Sequence, residues 1–239
     1  MLVEVCANSL ESALNAQNAG ADRIELCSEL AVGGVTPSFG LLMLVKKQLK
    51  IPVHVLIRPR SGHFTYSDAE FEVMKADIEK CREMGVDGIV SGVLKDNFSL
   101  DVERTSELVE LSKGMHFTFH RAFDWISNPE SALRILETLG VHTVLTSGMQ
   151  NSAAESIERL QTWQSKTQMT IMPGGGVNPQ NAQKFKEAGL RALHLSGTFF
   201  VNYIDVAEKI NMNSDKHWNE DKVAITNVEV VRQIVQTVK

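Results

Sequence analysis

Glu4-Val5-Cys6 and Glu25-Leu26-Cys27 repeat one Glu-x-Cys pattern. Residues two apart on a strand point the same way. Where Val3 and Val5 face outward, Glu4 and Cys6 face inward, with Asn8 just beyond. Where Ile24 and Leu26 face outward, Glu25 and Cys27 face inward. Adjacent parallel strands lie about 4.8 Å apart, so inward cysteines at matching heights could reach one ion. Thiolates are soft ligands and suit Cu(I). Two cysteines do not make a structural zinc site, which takes four ligands. There is no C-x-x-C, H-E-x-x-H or His-x-His. The plainer alternative is that Cys6 and Cys27 are small core residues.

The same parity turns His54, Leu56 and Arg58 inward, with Arg60 following. It also turns Thr118 and His120 inward, ahead of Arg121 and Asp124, and puts His194 and Ser196 on one face. Buried charges must be paired or hydrogen-bonded. Glu4 and Glu25 are therefore expected to find Arg58, Arg60 or His120. Such a ring is either a structural ion-pair network or a site for a metal or an anion.

Pro173-Gly174-Gly175-Gly176-Val177-Asn178-Pro179 lets the backbone approach a ligand closely, with Asn178 and Pro179 expected to open a helix. Ser196-Gly197-Thr198 follows the next strand. Loops in these places bind phosphate in many barrels. The residues thus also fit an enzyme acting on a small anionic or phosphorylated substrate. In that reading His120 is general acid/base, with Glu4 or Glu25 as its partner. Arg58, Arg60, Gly174, Gly175, Gly176, Ser196 and Gly197 hold the anion. A third reading is an inert scaffold, against which the polar mouth argues.

The elements that must carry these residues follow one grammar. Four times an amphipathic helix ends, a Gly follows, and a buried strand begins about two residues later: at Gly20, Gly85, Gly140 and Gly189. Gly past a helix end takes the left-handed conformation that closes it. Eight strands are expected: 2–8, 22–28, 53–58, 88–94, 116–122, 143–147, 169–173 and 192–196, spaced about 27 residues apart. That is a (β/α)8 barrel of the TIM type, with an open doubly wound sheet as the alternative. Ser9 should cap the first helix. Residues 68–84 form the longest, whose apolar face includes Cys81, and 228–238 the last. Residues 202–227, including Trp218, read as a long irregular loop. The 239 residues read as a single domain without a linker.

Composition excludes several classes. Hydrophobic residues make up 43% and charged residues 22%, which is globular. The net charge of −5 argues against nucleic acid or an anionic membrane as the main partner. Three cysteines, no leader-like start and no long apolar run point to a cytoplasmic protein that spans no membrane.

The sequence resembles the copper homeostasis protein CutC family. The matching stretches are 4–13, Gly20-Ala-Asp-Arg-Ile-Glu-Leu-Cys27, Gly33-Gly-Val-Thr-Pro-Ser38, Ile57-Arg-Pro-Arg-Ser-Gly62 with Tyr66-Ser-Asp68, Thr118-Phe-His-Arg-Ala-Phe-Asp124, Leu145-Thr-Ser-Gly148 and Met172-Pro-Gly-Gly-Gly176. The resemblance implies a TIM-like barrel, a cytoplasmic location and a homodimer or higher homo-oligomer. It also implies a link to copper tolerance and trafficking. Cys6 and Cys27 match the positions proposed to hold Cu(I) in animal members. The C-terminal part, from Leu193-His-Leu-Ser-Gly-Thr198 onward, departs from the family pattern.

Overall fold

A computed structural model describes residues 1–202, 204, 209–210 and 222–239. Eight parallel strands alternate with helices. The strands are β1 (Leu2–Ala7), β2 (Arg23–Leu26), β3 (Val53–Leu56), β4 (Gly88–Ser91), β5 (His116–Phe119), β6 (Thr143–Thr146), β7 (Thr170–Pro173) and β8 (Ala192–Leu195). Their order is β7-β6-β5-β4-β3-β2-β1-β8, and β7 packs against β8. Sequential order with β8 beside β1 is the nearly closed (β/α)8 barrel, not a doubly wound sheet, whose order reverses at a switch point.

The helices are α1 (Leu10–Asn18), α2 (Phe39–Gln48), α3 (Asp68–Glu83), α4 (Val102–Leu111), α5 (Pro129–Thr138), α6 (Ile157–Ser165), α7 (Ala182–Glu187) and α8 (Val228–Val238). Ser9 caps α1 by accepting the Ser12 N–H at 3.0 Å, and Ser67 and Glu70 form a capping box on α3. Gly20, Gly85, Gly140 and Gly189 all have positive φ, between +65° and +89°, as the four helix-to-strand turns require. The outward strand residues Val3, Val5, Ile24, Leu26, Val53 and Val55 are fully buried under the helices. Cys81 on α3 belongs to that core.

Two expectations change in detail. The helix after the glycine loop starts at Ala182, because Asn178 and Asn181 spend their side chains on turn hydrogen bonds to Gln180 and Asn178 N–H. Within 202–227, Val223–Thr226 is a strand, β10, antiparallel to β9 (Thr198–Val201). Trp218 lies outside the described residues. No helix among the described residues is long and apolar enough to cross a membrane.

Candidate functional site

Inside the barrel, β1 is flanked by β2 and β8, and the register stacks their inward residues in layers. Glu4 lies beside Arg23 and His194, and Cys6 beside Glu25. The Glu4 carboxylate is wholly buried. One oxygen accepts from Arg23 Nε at 2.5 Å, and the other lies 2.7 Å from His194 Nδ1. Burial favours the neutral acid, but Arg23, His194 and His54 together hold the Glu4 carboxyl well below the usual carboxylate range.

Glu25 lacks such a partner. Its Oε2 makes no hydrogen bond among the described residues and lies 3.6 Å from His194 Nδ1. Burial pushes its carboxyl up to about 7, and the Glu4 charge adds to this. Burial resists protonation of His194, but Glu25 and Glu4 outweigh it, so this imidazole titrates above its ordinary range.

The two thiols meet. Cys6 Sγ is 3.3 Å from Cys27 Sγ, and both cysteines are free and buried. They are not at matching heights: the register pairs Cys6 with Glu25, and Cys27 stands one layer higher. With Leu56 and Val90 they form a small apolar cluster of their own. The hydrogen bond to Cys27 and burial raise the Cys6 thiol well above its usual range. Gly34 covers the pair. A Cβ there would stand 2.6 Å from Leu56 Cδ2 and 3.4 Å from Cys27 Cβ, so only glycine lets this loop close down. Cys6 Sγ, a Glu25 oxygen and a His194 nitrogen lie within 4.8 Å of one another, a donor group able to hold a metal ion.

Above these residues a cavity of about 820 Å3 opens at the C-terminal ends of the strands. Arg58, His120 and Ser196 line it, as the inward parity requires, together with Gly175 and Gly176 of the glycine loop. The expected pairings are nonetheless different. Arg58 gives its Nη atoms to the carbonyls of Val32, Gly34 and Gly62 rather than to Glu4 or Glu25. Arg60 is bound to Glu70 and to the carbonyls of Ser61, His63 and Thr65, which takes it out of the mouth. His120 accepts the Ala122 N–H on Nδ1, has no carboxylate partner, and is pushed down to about 3 by burial and Arg58. Burial and Arg58 thus keep this imidazole neutral near pH 7. Gly174 packs on Leu145 and His194, and Gly197 on Val231.

Arg23 is the residue the sequence reading left out. It shares the inward parity of Glu25 and Cys27, and that signal was sufficient to place it. Asp124, which the sequence places just after His120, anchors the next loop. It accepts hydrogen bonds from the Thr146 hydroxyl and from the N–H groups of Ser147 and Met149, and it holds Arg121 Nε at 2.8 Å. It thereby fixes the loop after β6 and orients Arg121, which follows β5.

The CutC family pattern matches residues 1–199. The chain belongs to the CutC family. It is similar to the human copper homeostasis protein cutC homolog, 42% identical over 243 residues that cover 98% of this chain and 87% of the human one. A CutC family protein of Proteus mirabilis is 47% identical over 195 residues, covering 81% and 78% of the two chains. A crystal structure of CutC from Streptococcus agalactiae superposes with a TM-score of 0.78 at 34% identity, over 82% of this chain and 98% of that one. The CutC match ends inside β9, so β10 and α8 lie beyond it.

Proposed function

We propose that this CutC family member serves copper homeostasis in the cytoplasm by carrying Cu(I) on Cys6 and Cys27. The observation that carries this reading is the 3.3 Å contact between the two sulfurs, of which that of Cys6 belongs to a residue lining the cavity. Thiolates are the soft donors Cu(I) takes. With metal–sulfur bonds of about 2.3 Å, as for zinc, sulfurs 3.3 Å apart subtend roughly a right angle at the ion. His194, whose nitrogen lies within 4.8 Å of Cys6 Sγ, would supply a further donor.

The surroundings suit a cation that arrives with thiol deprotonation. Cys6 holds its proton in the free protein, so loading displaces it. Glu25, near its own midpoint at pH 7 and beside Cys6, is placed to receive it. Arg23 and His194 keep Glu4 ionised and hold β1 in register with β2 and β8. Two free thiols in contact also favour a reducing compartment, since oxidation would join them.

X-ray absorption of the Cu(I)-loaded chain tests the ligand set. Two sulfur neighbours are expected, falling to none in Cys6→Ala/Cys27→Ala. A wild-type copper shell of nitrogen and oxygen alone would overturn the reading.

A further inference from the structure

The mouth cavity is far larger than an ion needs. Its roughly 820 Å3 is the volume of sites that hold small organic ligands. We propose that it binds a phosphorylated polyhydroxy compound, a sugar or polyol monophosphate, with the phosphate on Arg121 and the Gly175–Gly176 backbone.

Arg121 is held on two sides and left open on the third. Its Nε is fixed by Asp124 at 2.8 Å and its Nη2 by the Ser147 hydroxyl at 2.9 Å. Nη1 has no protein partner among the described residues, and the side chain is 44% exposed on the cavity wall. Gly175, at φ +98°, brings the backbone against this guanidinium. A Cβ at Gly175 would stand 3.1 Å from Nη1, and one at Gly176 would stand 2.8 Å from Ser152 Oγ. No hydrogen bond among the described residues occupies the N–H groups of Gly175 or Gly176. A guanidinium N–H and two backbone N–H groups at one corner suit a tetrahedral anion.

The charge balance agrees. Glu25 and His194 offset each other, and Glu29 is exposed at the edge. Arg58 is buried on the cavity wall, with its Nη atoms on three carbonyls and its guanidinium over the Phe64 ring, and Lys222 sits at the rim. Among the described residues, no carboxylate forms an ion pair with this buried cation.

The organic part of the ligand follows from two unpartnered atoms. Glu25 Oε2 and His120 Nε2 are buried, line the cavity and have no hydrogen-bond partner among the described residues. Because His120 Nδ1 accepts the Ala122 N–H, its proton sits on Nε2, which is a donor. An acceptor and a donor at separate points of one cavity suit hydroxyl groups.

The inference does not rest on the copper reading. It is tested by calorimetry on the copper-free chain with inorganic phosphate, ribose 5-phosphate and ribose, at fixed ionic strength. Phosphate and ribose 5-phosphate should bind with one-to-one stoichiometry, the sugar phosphate about tenfold tighter or more, and ribose not at all. Arg121→Gln should weaken both by about tenfold or more, while Lys113→Gln on the outer surface should not. Should Arg121→Gln fail to fold, Ser196→Asp, which sets a carboxylate in the same cavity, should abolish binding. Absence of binding at millimolar ligand would overturn the proposal. So would wild-type affinity in Arg121→Gln or Ser196→Asp, or equal affinity for phosphate and ribose 5-phosphate.

Discussion

Glu4 Oε2 stands 2.5 Å from Arg23 Nε, sealed inside the barrel, with the ring of His194 on the other carboxylate oxygen. The three residues come from β1, β2 and β8, so one buried carboxylate ties the first strand to both neighbours. Removing one partner of such a pair strands a charge in the interior. Arg23→Met should cost about 3–5 kcal/mol of stability, read as a lowered midpoint in urea. Replacing Glu4 as well, with Leu, should recover part of that loss, because no lone ion remains. Equal midpoints for Arg23→Met and wild type would contradict the pairing.

Glu25 sets a pH dependence of known sign. Its folded pKa of about 7 exceeds the ordinary 4.5. The folded state therefore keeps a proton that the unfolded chain loses. Its stabilising contribution is complete below pH 4.5 and is lost as pH rises to about 7, a change of at most about 3 kcal/mol. His194, also raised, acts in the same direction through its own titration. Stability measured by denaturant from pH 5 to 8 should fall, and Glu25→Gln should flatten the curve. A variant curve as steep as wild type would refute the assignment.

His120 should be silent over the same interval. Pushed down to about 3, its imidazole stays neutral from pH 5 to 8. Proton NMR of the ring should show no titration there, whereas His194 should shift. A His120 midpoint between pH 6 and 7 would contradict the burial of its ring beside Arg58.

The barrel was legible because its grammar is local. Gly20, Gly85, Gly140 and Gly189 announce helix ends by their conformational freedom, and strand parity assigns inward and outward faces without tertiary information. Parity also placed Cys6, Glu25 and His120 in the mouth. It could not say which inward charges meet, because that depends on register. Cys6 sits opposite Glu25 rather than Cys27, and Glu4 meets Arg23 and His194 rather than Arg58. Arg58 and Arg60 fall to loop carbonyls and to Glu70, partners set by chain reversals that leave no periodic mark. The strand at Val223–Thr226 was hidden because its partner, β9, precedes it by more than twenty residues.

The central claim is that the Cys6–Cys27 sulfur pair holds Cu(I). An anaerobic competition titration against a chromophoric Cu(I) chelator tests it most directly, with wild type beside Cys6→Ala/Cys27→Ala. Wild type should take one Cu(I) per chain, with affinity rising as pH goes from 6 to 7 because the metal displaces the protons of the two thiols. The double variant should take none. Equal binding by the two proteins would contradict the account.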